Sequence, residues 1–226
     1  ECRKGICNLL GIPYDSFIGL GVDRLDYTKG IPERLRAIER MLELYPEMVG
    51  RFYFIQIAAP SRSTLQDYKN LEGYVRDMAK GINDRFQKGS YVPIILRIAH
   101  HESEEINKYY RAADVYVSTA TFETWGLTIS EAMACGTPVV AFSNGGVTEQ
   151  ITDGKTGFLV DSNEPIKMAE IITTLLENEQ LHKALSENAA NHAKNHFDIK
   201  HTAMQYLEVY NNLIEKTRNK HDKNRY

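Results

Sequence analysis

The 226-residue chain carries 27 Lys and Arg against 30 Asp and Glu, a net charge of −3, with an isoelectric point near 6.2 and a mean hydropathy of −0.40. That balance excludes general electrostatic attraction to nucleic acid or to an anionic membrane. No apolar run approaches the roughly 20 residues that span a bilayer, and no signal-peptide pattern opens the chain.

The length suits one α/β domain with a helical extension. A chain of this size buries roughly 70% of its unfolded surface, enough for a sizeable core. Its first residue is Glu1, and the chain is expected to begin inside a longer protein. Cys2, Cys7 and Cys135 form neither a disulfide framework nor a zinc-ligand spacing. Reduced thiols in a cytoplasmic protein are the expectation.

Strand and helix alternate along the chain. Ser16 to Val22 is an apolar strand, followed by a polar turn and an amphipathic helix near Ile31 to Tyr45. Within that helix Leu35, Ile38, Met41, Leu42 and Tyr45 recur at three- and four-residue steps and share one face. Arg51 to Ala58 is the next strand, ending at Pro60, and a long charged helix is predicted from about Ser63 to Phe86. Val92 to Ala99 is a third strand and Ser103 to Ala113 a helix. Val115 to Thr119 and Pro138 to Phe142 supply the fourth and fifth strands. From Pro165 to about Lys216 the chain is predicted wholly helical, ending in the charged tail NKHDKNRY. Near-continuous apolar strands separated by helices indicate a Rossmann-like parallel sheet covered on both faces. Residues 1–164 are expected to form this domain and residues 165–226 its C-terminal helical extension.

In such a sheet ligands bind outside the carboxyl ends of the strands. Three segments there have unusual chemistry. In VDRLDYTKG, Arg24 and Lys29 follow the first strand and can both reach an anion, one as a planar fork and one as a point charge. Asp23 and Asp26 lie among them, so a local salt-bridge cluster is the alternative. In FETWGLTISEAMACG, a helix starting near Gly126 to Thr128 would point free N–H groups and its positive dipole end at a phosphate or sugar oxygen. Glu131, one to two turns inside, suits two adjacent hydroxyls such as those of a ribose; the plain alternative makes Glu123 and Glu131 solvated surface residues. In SNGGVTE, Gly145 and Gly146 make a tight turn with room for a ligand. His100 and His101 close the third strand at the same edge, placing one of them near a nucleotide base or leaving both as polar caps.

The G-x-G-x-x-G of hydride-transfer domains is missing, since Gly19-Leu20-Gly21 falls inside the strand without a third glycine. A phosphate-binding P-loop and a G-x-S-x-G nucleophile turn are also missing.

VDRLDYTKGIPER, Val22 to Arg34, resembles the segment by which trehalose-6-phosphate synthases hold the diphosphate of a nucleotide sugar. The similarity continues through Phe54 to Arg62 (FIQIAAPSR) and Gly81 to Phe86 (GINDRF). The second half departs: FETWGLTISEA stands where that family has a DGMNLVAKE-type segment. Glu123 to Val140 is instead similar to the E-x7-E and E-A-M-A-C-G-T-P-V-V pattern of the sucrose-synthase-like retaining glycosyltransferases of family four. Asn144-Gly145-Gly146 and Glu149 match that family's S-x-x-G-G-x-x-E.

The resemblance implies the C-terminal, donor-binding domain of a two-domain GT-B enzyme that retains anomeric configuration. Arg24 and Lys29 would contact the donor phosphates and act in catalysis together with Glu123. Glu123 would touch the donor sugar, Gly126, Leu127 and Thr128 the sugar and phosphate, and Glu131 the ribose; by its place at the strand edge, and not by the resemblance, His100 is the histidine expected at the nucleotide. UDP-glucose is the donor it suggests, with no metal and no cofactor, and transfer to an acceptor hydroxyl as in trehalose biosynthesis. The N-terminal GT-B domain would be absent and the isolated chain inactive without it. A non-catalytic nucleotide-sugar-binding module and a GT-B sugar-nucleotide epimerase are the alternatives.

Overall fold

The computed structural model describes residues 1–61, 66–162 and 164–223, with side chains up to residue 216. In chain order the elements are α1 (Cys2–Leu10), β1 (Phe17–Arg24), α2 (Ile31–Leu44), β2 (Phe52–Ala59), α3 (Gln66–Phe86), β3 (Ile94–Arg97), α4 (Ser103–Ala112) and β4 (Val115–Ser118). They continue as α5 (Leu127–Ala134), β5 (Val139–Phe142), α6 (Val147–Gln150), β6 (Phe158–Val160), α7 (Pro165–Glu177), α8 (Glu179–His196) and α9 (Ile199–Lys223). The expected start of the long charged helix at Ser63, the Arg62 that ends FIQIAAPSR, and the last three residues of the tail lie outside the described residues.

The strands form one parallel sheet in the order β3-β2-β1-β4-β5-β6. β1 and β2 pair from Phe17 with Phe52 to Arg24 with Ala59. Strand order reverses between β1 and β4, so their following connections part to opposite faces and leave a crevice outside the carboxyl ends. Alternate strand residues feed two cores. Phe52, Phe54, Val115, Val117 and Phe142 pack with α2, α3 and α7. Ile18, Leu20, Tyr53, Ile55, Tyr116 and Ala141 pack with α1, α4, α5 and α8. Burial on both faces is the reason the strands read as unbroken apolar runs. Gly19 and Gly21 lie within β1, where a Cβ would come 2.6 Å from the Phe52 ring and 2.4 Å from Arg34 Nη1. Their smallness admits those side chains from the neighbouring layer.

Three elements escaped the sequence reading: α1, the four-residue α6 and β6. α1 is tied down by Arg3, which donates to Asp114 Oδ1 at 2.9 Å, to Ala112 O at 2.9 Å and to Ser16 O. β6 adds a three-residue strand beside β5. The helical stretch after Pro165 divides into three. The Asn178 side chain accepts from Leu181 N at 3.0 Å and starts α8, and Asp198 accepts from Lys200 N at 2.7 Å as α9 begins. α7 packs on α2 and α8 on α5. Among the described residues no helix is long and apolar enough to cross a membrane.

Candidate functional site

Three loops meet at the crevice, and their backbones are sewn together. After β1, Asp26 accepts from Thr28 N at 3.0 Å and Thr28 Oγ1 at 2.9 Å, shaping a 3-10 turn over Tyr27–Lys29. Burial raises the Asp26 carboxyl, but those two hydrogen bonds together with the charges of Arg24 and Lys29 hold the group below the usual carboxylate range. Gly30 then turns the chain into α2 with φ of 60°. Its missing Cβ lets the Thr119 carbonyl approach, since a Cβ there would lie 1.9 Å from Thr119 O. Thr119 Oγ1 donates to Gly30 O at 2.6 Å and Thr121 N to Thr28 O at 2.9 Å, joining the loop after β4 to the loop after β1.

The loop after β5 grips the same segment from the other side. Gly146 N donates to Glu123 O at 3.0 Å, and Asn144 Nδ2 to Ala120 O at 3.0 Å. The glycine pair was expected to leave room for a ligand. That room is occupied by protein: a Cβ at Gly145 or Gly146 would come 2.1 Å from Glu123 O or Thr124 O. The pair serves the site by letting the Glu123–Trp125 backbone pack against it. Glu149 is exposed in α6.

The charges do not form the local cluster that VDRLDYTKG allows. Lys29 Nζ lies 2.5 Å from Glu123 Oε2, with the two side chains 16% and 13% exposed. Asp23 pairs with Arg34 Nη2 at 2.7 Å in full burial. Arg34 also donates from Nη1 to Gln56 Oε1 at 3.0 Å and from Nη2 to Lys29 O at 3.4 Å. Gln56 in turn donates to Ile57 O at 2.9 Å. Burial pushes the Asp23 carboxyl above its ordinary range, with Arg34 pulling the other way. The Arg24 guanidinium makes no hydrogen bond or ion pair with any described residue, and Arg24 is exposed.

Two cavities open on this network. One of about 430 Å³ is lined by Asp23, Arg24, Lys29 and the segment Glu123–Thr128. Its neighbour of about 460 Å³ is bordered by Val22, Ile57, Ala99, His101, Ser103, Asn107 and Glu131. Asp23, Arg24 and Thr128 border both. α5 starts between them after Gly126, whose φ of 92° turns the chain into the helix. First-turn N–H groups have no partner inside their own helix, so those of Leu127 and Thr128 are available to an anion. Glu131 accepts from Tyr110 Oη at 2.9 Å. Burial first, then the adjacent Tyr116 and Glu131, hold the Tyr110 phenol well above its ordinary range, so it stays a donor. Of the two histidines, His101 borders the larger cavity, its Nδ1 3.0 Å from Glu105 Oε1. His100, the residue expected near a nucleotide, is exposed and borders neither cavity.

The structure thus brings Arg24, Lys29, Glu123, Gly126, Leu127 and Thr128 around one cavity and Glu131 onto the next. Sequence reasoning missed Arg34, Gln56 and Tyr110, which hold that set in place. A third cavity of about 330 Å³ lies between α5 and α8, near Trp125, whose ring meets Phe197 edge-on at 5.6 Å. Among the described residues no group of three or more His, Cys, Asp or Glu side chains is arranged to hold a metal ion.

Residues 96–192 match the family model of glycosyl transferases group 1. Over 201 residues the chain is 31% identical to a D-inositol 3-phosphate glycosyltransferase of Nocardioides sp., covering 89% of this chain and 43% of that protein. A 116-residue stretch is 39% identical to an alpha,alpha-trehalose-phosphate synthase (UDP-forming) of Pichia angusta, 51% of this chain and 24% of that one. Among solved structures, an alpha,alpha-trehalose-phosphate synthase (UDP-forming) from Burkholderia vietnamiensis superposes with a TM-score of 0.84 at 24% identity, covering 95% of this chain and 47% of the other. The E. coli trehalose-6-phosphate structure bound with UDP-2-fluoro glucose gives 0.81 at 22% identity, over 91% and 46%. The fold is therefore that of one half of a GT-B protein, and the chain spans less than half the length of the relatives it matches.

Proposed function

The chain carries a glycosyl transferases group 1 domain over residues 96–192, and from that premise we propose that it is the donor-binding half of a nucleotide-sugar-dependent, retaining hexosyltransferase. One observation carries the reading: Arg24, the Glu123-paired Lys29 and the N-terminus of α5 converge on one cavity, which adjoins a second bearing Glu131. A nucleoside diphosphate sugar has the matching distribution of charge. Its diphosphate fits the junction, between Arg24, Lys29 and the amides of Leu127 and Thr128. Its ribose hydroxyls fit Glu131, and its base the wall bearing His101. Its hexose fits Glu123 and Gly126.

In this scheme the bond between the anomeric carbon and the β-phosphate oxygen breaks, and negative charge grows on that oxygen. Arg24, Lys29 and the helix amides supply preorganised positive potential at that place. Lys29 leaves Glu123 for the phosphate, which frees the Glu123 carboxylate for sugar hydroxyls. The acceptor hydroxyl attacks the same face and its proton passes to the departing phosphate, so configuration is retained. The scheme uses no metal ion and no cofactor.

UDP-glucose is the donor we assign, and the transfer resembles that of a trehalose-6-phosphate synthase. A second GT-B domain would supply the acceptor side, and the protein would work in the cytoplasm. Calorimetric titration of the chain with UDP, GDP, ADP and their glucose conjugates tests the reading. Binding of the uridine ligands in the micromolar range, about −8 kcal/mol, is expected. Absence of binding by all of them would overturn it. The chain alone should transfer no glucose to a sugar acceptor, a point that product analysis checks.

A further inference from the structure

Asp23, the penultimate residue of β1, borders both cavities and is only 8% exposed. The groups around it come from three regular elements and two loops. Arg34 of α2 lies 2.7 Å away, and Lys29 and Glu123 act on it from the loops after β1 and β4. The phenols of Tyr116 in β4 and Tyr110 in α4 lie close enough to feel its charge; burial keeps both neutral. Arg24 is its neighbour in sequence. With Arg34 fixed by Gln56 and the Lys29 carbonyl, the site balances three cations (Arg24, Lys29, Arg34) against three carboxylates (Asp23, Glu123 and Asp26, whose charge acts on Arg24 and Lys29). A diester diphosphate at the junction carries two negative charges and meets no net positive charge; with Glu123 neutral it would meet one, still fewer than its own two.

We propose that Asp23 takes up one proton from solvent when a diphosphate diester binds, so that the Arg34 charge, no longer neutralised, serves the ligand. This rests on the donor-site reading above. The carboxylate oxygen gains the proton, no other bond changes, and the buffer supplies it. Asp23 is the group that gives way because its burial already favours the neutral form. Glu123 keeps a cation or sugar hydroxyls beside it, Asp26 keeps the two hydrogen bonds from Thr28, and Glu131 is exposed to water.

The test is calorimetry with UDP-glucose, whose diphosphate has fixed charge between about pH 5 and about pH 9. Each titration is run in buffers of small and large ionisation enthalpy. The heat should depend on the buffer, with a slope approaching one proton gained per ligand at one pH. The slope should vanish on either side, where Asp23 has the same state free and bound. Glu123→Gln should keep this slope and Asp23→Asn should lose it. Should Asp23→Asn fail to fold, infrared difference spectra of the parent chain and of Glu123→Gln replace it. Both should then gain a protonated-carboxyl band when UDP-glucose is added. Binding with buffer-independent heats at every pH, a slope surviving in Asp23→Asn, or a slope or band lost in Glu123→Gln would each overturn the inference alone. No binding of UDP-glucose would instead overturn the donor-site reading, and this inference with it.

Discussion

Gly30→Ala probes the seam that holds the site together. At φ of 60° an Ala pays the left-handed penalty, about 1–2 kcal/mol. Its Cβ would also lie 1.9 Å from Thr119 O, where ordinary contact begins at 3.4 Å, so the loops after β1 and β4 must part. Parting them breaks the 2.6 Å hydrogen bond from Thr119 Oγ1 to Gly30 O, about 1 kcal/mol, and strains the Thr121–Thr28 link. The expected loss is at least about 2–3 kcal/mol in urea unfolding. Gly154→Ala is the control: its φ is 71° with nothing within 4 Å of a Cβ, so it should cost about 1–2 kcal/mol. Affinity for UDP-glucose should fall at least tenfold, about 1.4 kcal/mol, in Gly30→Ala and stay unchanged in Gly154→Ala. Equal stability losses in the two variants, or full affinity in Gly30→Ala, would refute the reasoning.

Arg34→Met should destabilise the chain by about 3–5 kcal/mol at neutral pH, because it leaves the buried Asp23 charge without a counterion. Its folded Asp23 pKa lies above the unfolded value, so the fold binds more protons and stability rises as pH falls through the folded pKa. Unfolding midpoints of Arg34→Met that stay level or fall on mild acidification would contradict that sign. Tyr110→Phe removes the donor to Glu131 and should weaken UDP-glucose binding by about 1 kcal/mol with little change in melting temperature. Calorimetry and a thermal melt separate the two effects.

The parallel sheet was legible because strands buried on both faces cannot hide their composition, and the helices between them kept a clean apolar stripe. β6 and α1 were not. β6 is three residues long, and α1 is held by Arg3 reaching Asp114, a partner over a hundred residues away that no local pattern announces. Of the candidate site, Arg24, Lys29, Glu123 and Glu131 drew notice by their places at strand ends and in the first turns of a helix, where a salt-bridge cluster or a solvated surface was equally open, and it was the resemblance to glycosyltransferase motifs that gave them roles. Arg34 sits beside Leu35 on the buried face of an amphipathic helix and was passed over, and its partner Asp23 was considered only as part of an alternative cluster with Arg24 and Lys29. Pairing of that kind is decided by which face of β1 each side chain takes. The Gly145–Gly146 pair was recognisable as a tight turn, while what fills the space beside it depends on where the Glu123 loop crosses. His100 and His101 are adjacent, and only the chain's exit from β3 decides which one faces the cavity.

A crystal structure of the chain with UDP-glucose bound tests the account most directly. The diphosphate is predicted within hydrogen-bonding distance of Arg24, Lys29 and the Leu127 and Thr128 amides, with the ribose hydroxyls on Glu131. A ligand seated instead between α5 and α8, or with its phosphates away from Arg24, would contradict it.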